Sequence, residues 1–121
     1  MSEKTILVVD DSPTDLSLMT SPLQEQGFRV ITAQDGEEAL EMAEKEMPSL
    51  IVLDVVLPKK NGFQVCRQLK TTPQTEGIKI LLLTSKTQDS DRFWGLKQGA
   101  DEYMTKPFSD EEYLNMIGRL V

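Results

Sequence analysis

The chain is 121 residues long, enough for one compact domain that buries roughly two-thirds of its unfolded surface and too short for two. Its residues are 39% hydrophobic and 27% charged, with no apolar run near the ~20 residues of a membrane-crossing helix, so a single soluble domain over residues 1–121 is expected. A formal net charge of -7 would repel a nucleic-acid backbone or an anionic membrane, and the absence of histidine removes the commonest general base and metal ligand.

Met1-Ser2-Glu3-Lys4 leads toward the first strand with no charged-then-apolar signal region and no small-residue cleavage site, which points to a cytoplasmic protein. Ile6 to Val9 is continuously apolar and reads as a buried strand, closed by two acids, Asp10 and Asp11. Ser12-Pro13-Thr14-Asp15 then supplies an N-cap, a first-turn proline and a first-turn acid for helix 1. Pro22 falls inside that helix, where an interior proline costs ~3 kcal/mol, and predicts a kink or break between about Leu18 and Pro22. Phe28 to Ala33 alternates and reads as strand 2, and Asp35-Gly36-Glu37-Glu38 caps the helix that follows. Leu50 to Leu53 is a third, unbroken apolar strand ending at Asp54. The lone cysteine, Cys66, sits between Phe63 and Leu69 at helical spacing, which favours a packed thiol and rules out an internal disulfide. Ile78 to Leu83 is strand 4, followed by Thr84 and Ser85; Glu102 to Thr105 is a short fifth strand followed by Lys106-Pro107; Ser109-Asp110-Glu111-Glu112 starts the last helix.

Five strand and helix alternations imply an α/β fold, a doubly wound parallel sheet covered by helices on both faces in three layers. The segments ILVV, LIVL and ILLL are apolar throughout, as central strands must be, whereas FRVITA alternates and EYMT is mixed, which puts strands 2 and 5 at the edges. Right-handed crossovers then give the flavodoxin-like (βα)5 order 2-1-3-4-5, with ligands expected beyond the carboxyl ends of strands 1 and 3.

Asp10, Asp11, Asp54, Thr84, Ser85 and Lys106 all fall at that edge. Two carboxylates ~4 Å apart repel by roughly 4 kcal/mol at an effective dielectric of 20, so three at one point need protons or a cation. An all-oxygen set without histidine favours a hard divalent ion, and magnesium suits a small carboxylate set with an incoming phosphoryl group. Singly, each residue has a plainer reading: Asp11 as a cap, Asp54 as a turn acid, Thr84 as a strand end, Lys106 as a loop residue. Ser12 already fills the cap, and Asp54 closing an apolar strand needs compensation for burial.

Asp10-Asp11, Asp54, Thr84-Ser85 and Lys106-Pro107-Phe108, with Leu57-Pro58-x-x-Asn61-Gly62 and Gly99-Ala100-Asp101, resemble the receiver domain of two-component response regulators, the CheY-like family, over about residues 4 to 121. Trp94-Gly95-x-x-Gln98-Gly99-Ala100 further resembles the single-domain, PilH-like regulators of type IV pilus motility and phototaxis. The resemblance implies that Asp54 accepts a phosphoryl group from a phosphohistidine on a histidine kinase or histidine phosphotransfer protein. It implies magnesium held by Asp10, Asp11, Asp54 and the backbone carbonyl of Val56, with Lys106 and Thr84 on the phosphoryl oxygens. Thr84 and Tyr103 would form the switch, read on the face of the fourth helix, fifth strand and fifth helix, roughly Asp89 to Gly118, where Trp94 is a candidate contact.

With no output domain expected after that face, the signal would leave by binding a downstream motility or signalling protein, the protein being a monomer or a transient dimer through the same face. Val56 and Lys86 stand where family members tune the lifetime of the modification, an apolar residue excluding water at the first and a cation attracting phosphate oxygens at the second. Such a protein is a phosphoryl-accepting signalling component rather than an enzyme, or a phosphate sink for a shared kinase. A haloacid-dehalogenase-type phosphatase would need a second acid at Val56, a flavin carrier would not place Asp10-Asp11 at its phosphate loop, and a purely structural module would not need the acidic set.

Overall fold

Three strands are covered on both faces, as their unbroken apolar sequences require. The computed structural model describes residues 4–121; Met1–Glu3, part of the stretch read as lacking an export signal, lies outside the described residues. Strands β1 (Thr5–Val9), β3 (Leu50–Leu53) and β4 (Lys79–Thr84) are buried from Ile6, Leu50 and Ile80 onward, while β2 (Arg29–Ala33) and β5 (Glu102–Thr105) are partly open. All pairings are parallel and the order is β2-β1-β3-β4-β5, as expected for a doubly wound, flavodoxin-like sheet.

The two-residue period of the strands divides the core into two layers. Leu7, Val9, Ile51, Leu53, Ile80, Leu82 and Tyr103 point to the side covered by α2 (Gly36–Glu46), α3 (Gly62–Lys70) and α4 (Asp89–Lys97). Ile6, Val8, Leu50, Val52, Leu81 and Leu83 point to the side of α1 (Pro13–Glu25) and α5 (Asp110–Leu120). Continuing the alternation past the strand ends decides which layer each polar residue of the carboxyl edge will meet.

Helix starts follow the caps read from sequence. Ser12 accepts from Asp15 N–H, Asp35 from Glu38 N–H and Ser109 from Glu112 N–H. A fourth signal had no part in the sequence reading: Asn61 and Gln64 form a full capping box that starts α3. Cys66 is buried with its thiol against the Gln98 carbonyl, and burial pushes its pKa up to about 12, so it is a packed thiol as expected.

The expected break at Pro22 does not occur. α1 runs unbroken from Pro13 to Glu25, with Pro22 buried in its last turns. The backbone partner that Pro22 cannot supply would have bonded the carbonyl of Leu18, a residue 60% exposed, where water can serve that carbonyl instead. Packing of Pro22 and Leu23 against the sheet favours continuing the helix over breaking it.

One glycine sets a close approach near the site. A Cβ on Gly62 would stand 2.2 Å from the Asp54 carbonyl oxygen and 2.8 Å from Val55 Cα, so only hydrogen fits where α3 begins beneath the end of β3. We expect Gly62→Ala to cost about 1–3 kcal/mol by forcing the Asp54 backbone to move, read as a lower urea midpoint with an unchanged m-value.

Candidate functional site

The register places Asp10 and Asp54 side by side. Val9 pairs with Leu53, and the ladder continues one step further through the Asp54 N–H, which donates to the Val9 carbonyl at 3.1 Å. Both acids are even-numbered continuations of strands whose even-numbered residues face α1 and α5, so both carboxylates emerge on that side. Lys106 follows β5, and its N–H donates to the Thr84 carbonyl at 2.8 Å, which brings its side chain to the same edge.

There the Lys106 ammonium gathers three carboxylates. Nζ donates to Asp10 Oδ2 at 2.6 Å, to Asp54 Oδ2 at 2.9 Å and to Asp15 Oδ2, from the first turn of α1, at 2.9 Å. The remaining oxygens of the two buried acids are also used: Asp10 Oδ1 accepts the Ser12 N–H at 2.9 Å and Asp54 Oδ1 accepts the Val56 N–H at 3.1 Å. The Asp10 side chain is 1% exposed and that of Asp54 8%, so charge here is kept by hydrogen bonds and by the lysine rather than by water.

Their titration shows how that balance divides. Burial pushes Asp10 up, and the Lys106 and Ser12 hydrogen bonds do not fully offset it, so its carboxyl lies above the usual carboxylate value. Burial also pushes Asp54 up, but hydrogen bonds from Lys106, Thr84 and the Val56 N–H together outweigh it and hold this carboxyl below that value. Lys106 is the reverse case: burial alone would lower it, and the bonds to Asp10, Asp15 and Asp54 raise it well above an ordinary lysine. Asp54 is therefore an ionised, oriented carboxylate beside a fully charged ammonium.

The other residues singled out in sequence stand around this pair. Thr84 is buried, and by the alternation of β4 it sits on the α2–α4 side of the sheet with Tyr103, in reach of Asp54 from the far side. Its hydroxyl accepts the Lys86 N–H at 3.4 Å. Tyr103 is buried, and its hydroxyl donates to the Lys86 carbonyl at 2.8 Å, tying β5 to the β4–α4 loop. Asp11 is exposed beside Asp10, and Val56, whose N–H bonds Asp54, is 54% exposed. Asp15 was read only as a helix-start acid; nothing local to the sequence signals that α1 carries it to Lys106.

Among the described residues no three acidic, histidine or cysteine side chains close into a ready-made metal cage. The donor set nonetheless fits a hard cation: Asp10 and Asp54 stand across one ammonium from each other, Asp11 is free to turn beside them, and every nearby donor is oxygen.

Comparison with known proteins decides the family. The model of the response regulator receiver domain matches residues 6–118. The chain belongs to the response regulator receiver family. It is 53% identical over 109 residues to the alkaline phosphatase synthesis transcriptional regulatory protein PhoP of Bacillus subtilis, matching 90% of this chain and 45% of PhoP. It is 39% identical over 116 residues to Protein PilH of Pseudomonas aeruginosa, covering 96% of both chains. The chain spans about half the length or less of several other curated relatives it matches.

Two solved structures carry the same fold. The chemotaxis response regulator CheY4 of Vibrio cholerae superposes with a TM-score of 0.92 at 32% identity over 99% of this chain and 100% of its own. The receiver domain of the sensor histidine kinase PA1611 of Pseudomonas aeruginosa, solved with magnesium coordinated in its active-site cleft, gives 0.90 at 28% identity over 98% of each. Receiver domains are components of two-component signalling rather than enzymes in the ordinary sense, and family membership sets aside the phosphatase and flavin-carrier readings.

Because Asp10 carries a charge that burial disfavours, Asp10→Asn should stabilise the protein by about 1 kcal/mol at pH 7. The sign follows from linkage: an acid whose folded pKa lies above the unfolded 3.8 weakens the fold above that folded pKa and has no effect below 3.8. The gain should therefore fade as pH drops toward 3.8, measured by urea denaturation across pH 3.5–7; a gain that grows at low pH contradicts this account.

Proposed function

We propose that this receiver takes a phosphoryl group on Asp54 from a phosphohistidine of a histidine kinase or histidine phosphotransfer protein. The observation that carries the reading is the Lys106 ammonium bonded to Asp54 Oδ2 while hydrogen bonds hold that carboxylate ionised. A carboxylate kept charged though largely buried is a competent nucleophile, and a fixed cation beside it meets the charge that gathers on the phosphoryl oxygens. In the transfer, an electron pair of an Asp54 oxygen forms the new P–O bond. The P–N bond breaks and its pair stays on the departing imidazole nitrogen, so this chain, which has no histidine, needs no base of its own.

Asp10, Asp11, Asp54 and the Val56 carbonyl are the groups that would hold magnesium. When bound, that ion supplies charge neutralisation on the phosphoryl oxygens. Lys106 would orient Asp54 from the α1 and α5 side, and Thr84, on the opposite side, would donate its hydroxyl to the attached group. Movement of Thr84 would carry the Lys86 backbone with it, and the Lys86 carbonyl is the partner of the Tyr103 hydroxyl. The resulting change would be read on α4, β5 and α5, where Phe93, Trp94 and Leu96 are exposed. The similarity to PilH along nearly the whole of both chains supports a receiver that acts on a partner in motility, chemotaxis or phototaxis.

Incubation with acetyl phosphate or phosphoramidate and magnesium should add one hydroxylamine-labile phosphoryl group, detected as a single mass increment. Asp54→Asn or chelation of magnesium should abolish it. Equal labelling of Asp54→Asn, or labelling indifferent to chelation, would refute the assignment of Asp54.

A further inference from the structure

Lys106 has no donor to spare. An ammonium carries three N–H bonds, and Nζ gives one each to Asp10, Asp15 and Asp54. A phosphoryl group arriving on Asp54 can be met by this ammonium only if one of those bonds is released.

The three carboxylates are not equally held. Asp10 is buried and its second oxygen is fixed by the Ser12 N–H; Asp54 is the acceptor itself and its second oxygen is fixed by the Val56 N–H. Asp15 is 38% exposed, and its carboxylate makes no hydrogen bond besides that to Lys106 among the described residues. Water can solvate Asp15 on release, whereas it cannot reach Asp10 without opening the core, so Asp15 is the bond of least cost to break. Its backbone N–H stays on Ser12 Oγ at 3.2 Å, which lets the carboxylate turn without unwinding α1. A cleft bordered by Leu18, Met19, Pro107, Phe108 and Asp110 opens beside the pair and gives the carboxylate somewhere to go.

We propose that Asp15 is a positioning residue that acts through Lys106, occupying the third N–H of its ammonium in the resting protein and competing with the phosphoryl group for it. The inference rests on the reading of Asp54 as acceptor. It makes Asp15 a brake: the helix that starts just after the acidic pair supplies the anion that the phosphoryl oxygen must displace.

Beryllofluoride, a phosphoryl mimic, tests this in the presence of magnesium, with the dissociation constant measured by heteronuclear NMR. Asp15→Asn, which keeps the size and helix position but weakens the bond to Lys106, should bind about threefold to tenfold tighter than wild type. Asp15→Glu should return affinity toward wild type. Asp110→Asn removes the same charge from the same cleft without touching Lys106 and should change affinity less than twofold. In the unloaded protein, the Lys106 ammonium signal should shift in Asp15→Asn and not in Asp110→Asn. Equal affinities of Asp15→Asn and wild type, equal gains in Asp15→Asn and Asp110→Asn, or an unmoved ammonium signal overturn the proposal. Failure of the wild type to bind beryllofluoride would instead remove the acceptor reading, and this proposal with it.

Discussion

One ammonium holds the carboxyl edge of this sheet together. Without Lys106, Asp10 and Asp54 would face each other at the ends of adjacent strands with little water to separate them, a juxtaposition that the β1–β3 register imposes and no side-chain rotation fully escapes. Lys106 reaches them because β5 pairs with β4 at Thr105 and Thr84 and the chain then turns into α5. Four separate elements must be in place before that ammonium has its partners: β1, α1, β3 and the β5–α5 connection. Buried ion pairs of this kind are poor sources of net stability, because desolvation consumes most of the attraction. Its persistence at the point where a parallel sheet binds ligands is therefore better explained by chemistry than by folding.

The sheet also sorts the site by side. Period-two alternation sends Asp10 and Asp54 toward α1 and α5, and Thr84 and Tyr103 toward α2, α3 and α4. In the proposed function, charge neutralisation and hydroxyl donation would thus approach Asp54 from opposite faces, each separated from the other by the sheet itself. Asp15 belongs to the first side and Lys86 to the second.

Much of this was legible in the chain. Unbroken apolar runs marked the central strands, alternation marked the edges, and capping residues marked four of the five helix starts, the fourth being the Asn61–Gln64 box that went unread. The strand-end polar residues were legible because position at a strand end is local, and local signals survive without coordinates. What was not legible depended on distant packing. Asp15 looks like any first-turn acid until α1 is laid across the sheet and brings it to the ammonium. Pro22 misled for the same reason: the rule against interior prolines is local, while its buried packing and the solvent beside Leu18 are not.

The fourth helix shows what the proposed switch has to work against. Its N-cap, Gln88, makes no side-chain capping bond, and its one fully buried residue is Gly95, where an added Cβ would stand 2.8 Å from Leu82 Cδ1 and 3.0 Å from Tyr103 Cδ2. α4 therefore rests on Tyr103 and Leu82 through a glycine rather than through an interlocked side chain, with Arg92 reaching the Tyr103 carbonyl at 3.3 Å. Such a contact buries little apolar area, so sliding α4 loses less than moving α1 or α5, whose Leu16, Met19, Leu23, Tyr113 and Ile117 are all inserted in the core. Phe93, Trp94 and Leu96 stay on its outer surface, available to a partner. Under the proposed switch, a helix anchored chiefly by the aromatic ring whose hydroxyl holds the Lys86 carbonyl would follow that ring, and a rearrangement at Thr84 would reach the exposed face by contacts that are each cheap to remake.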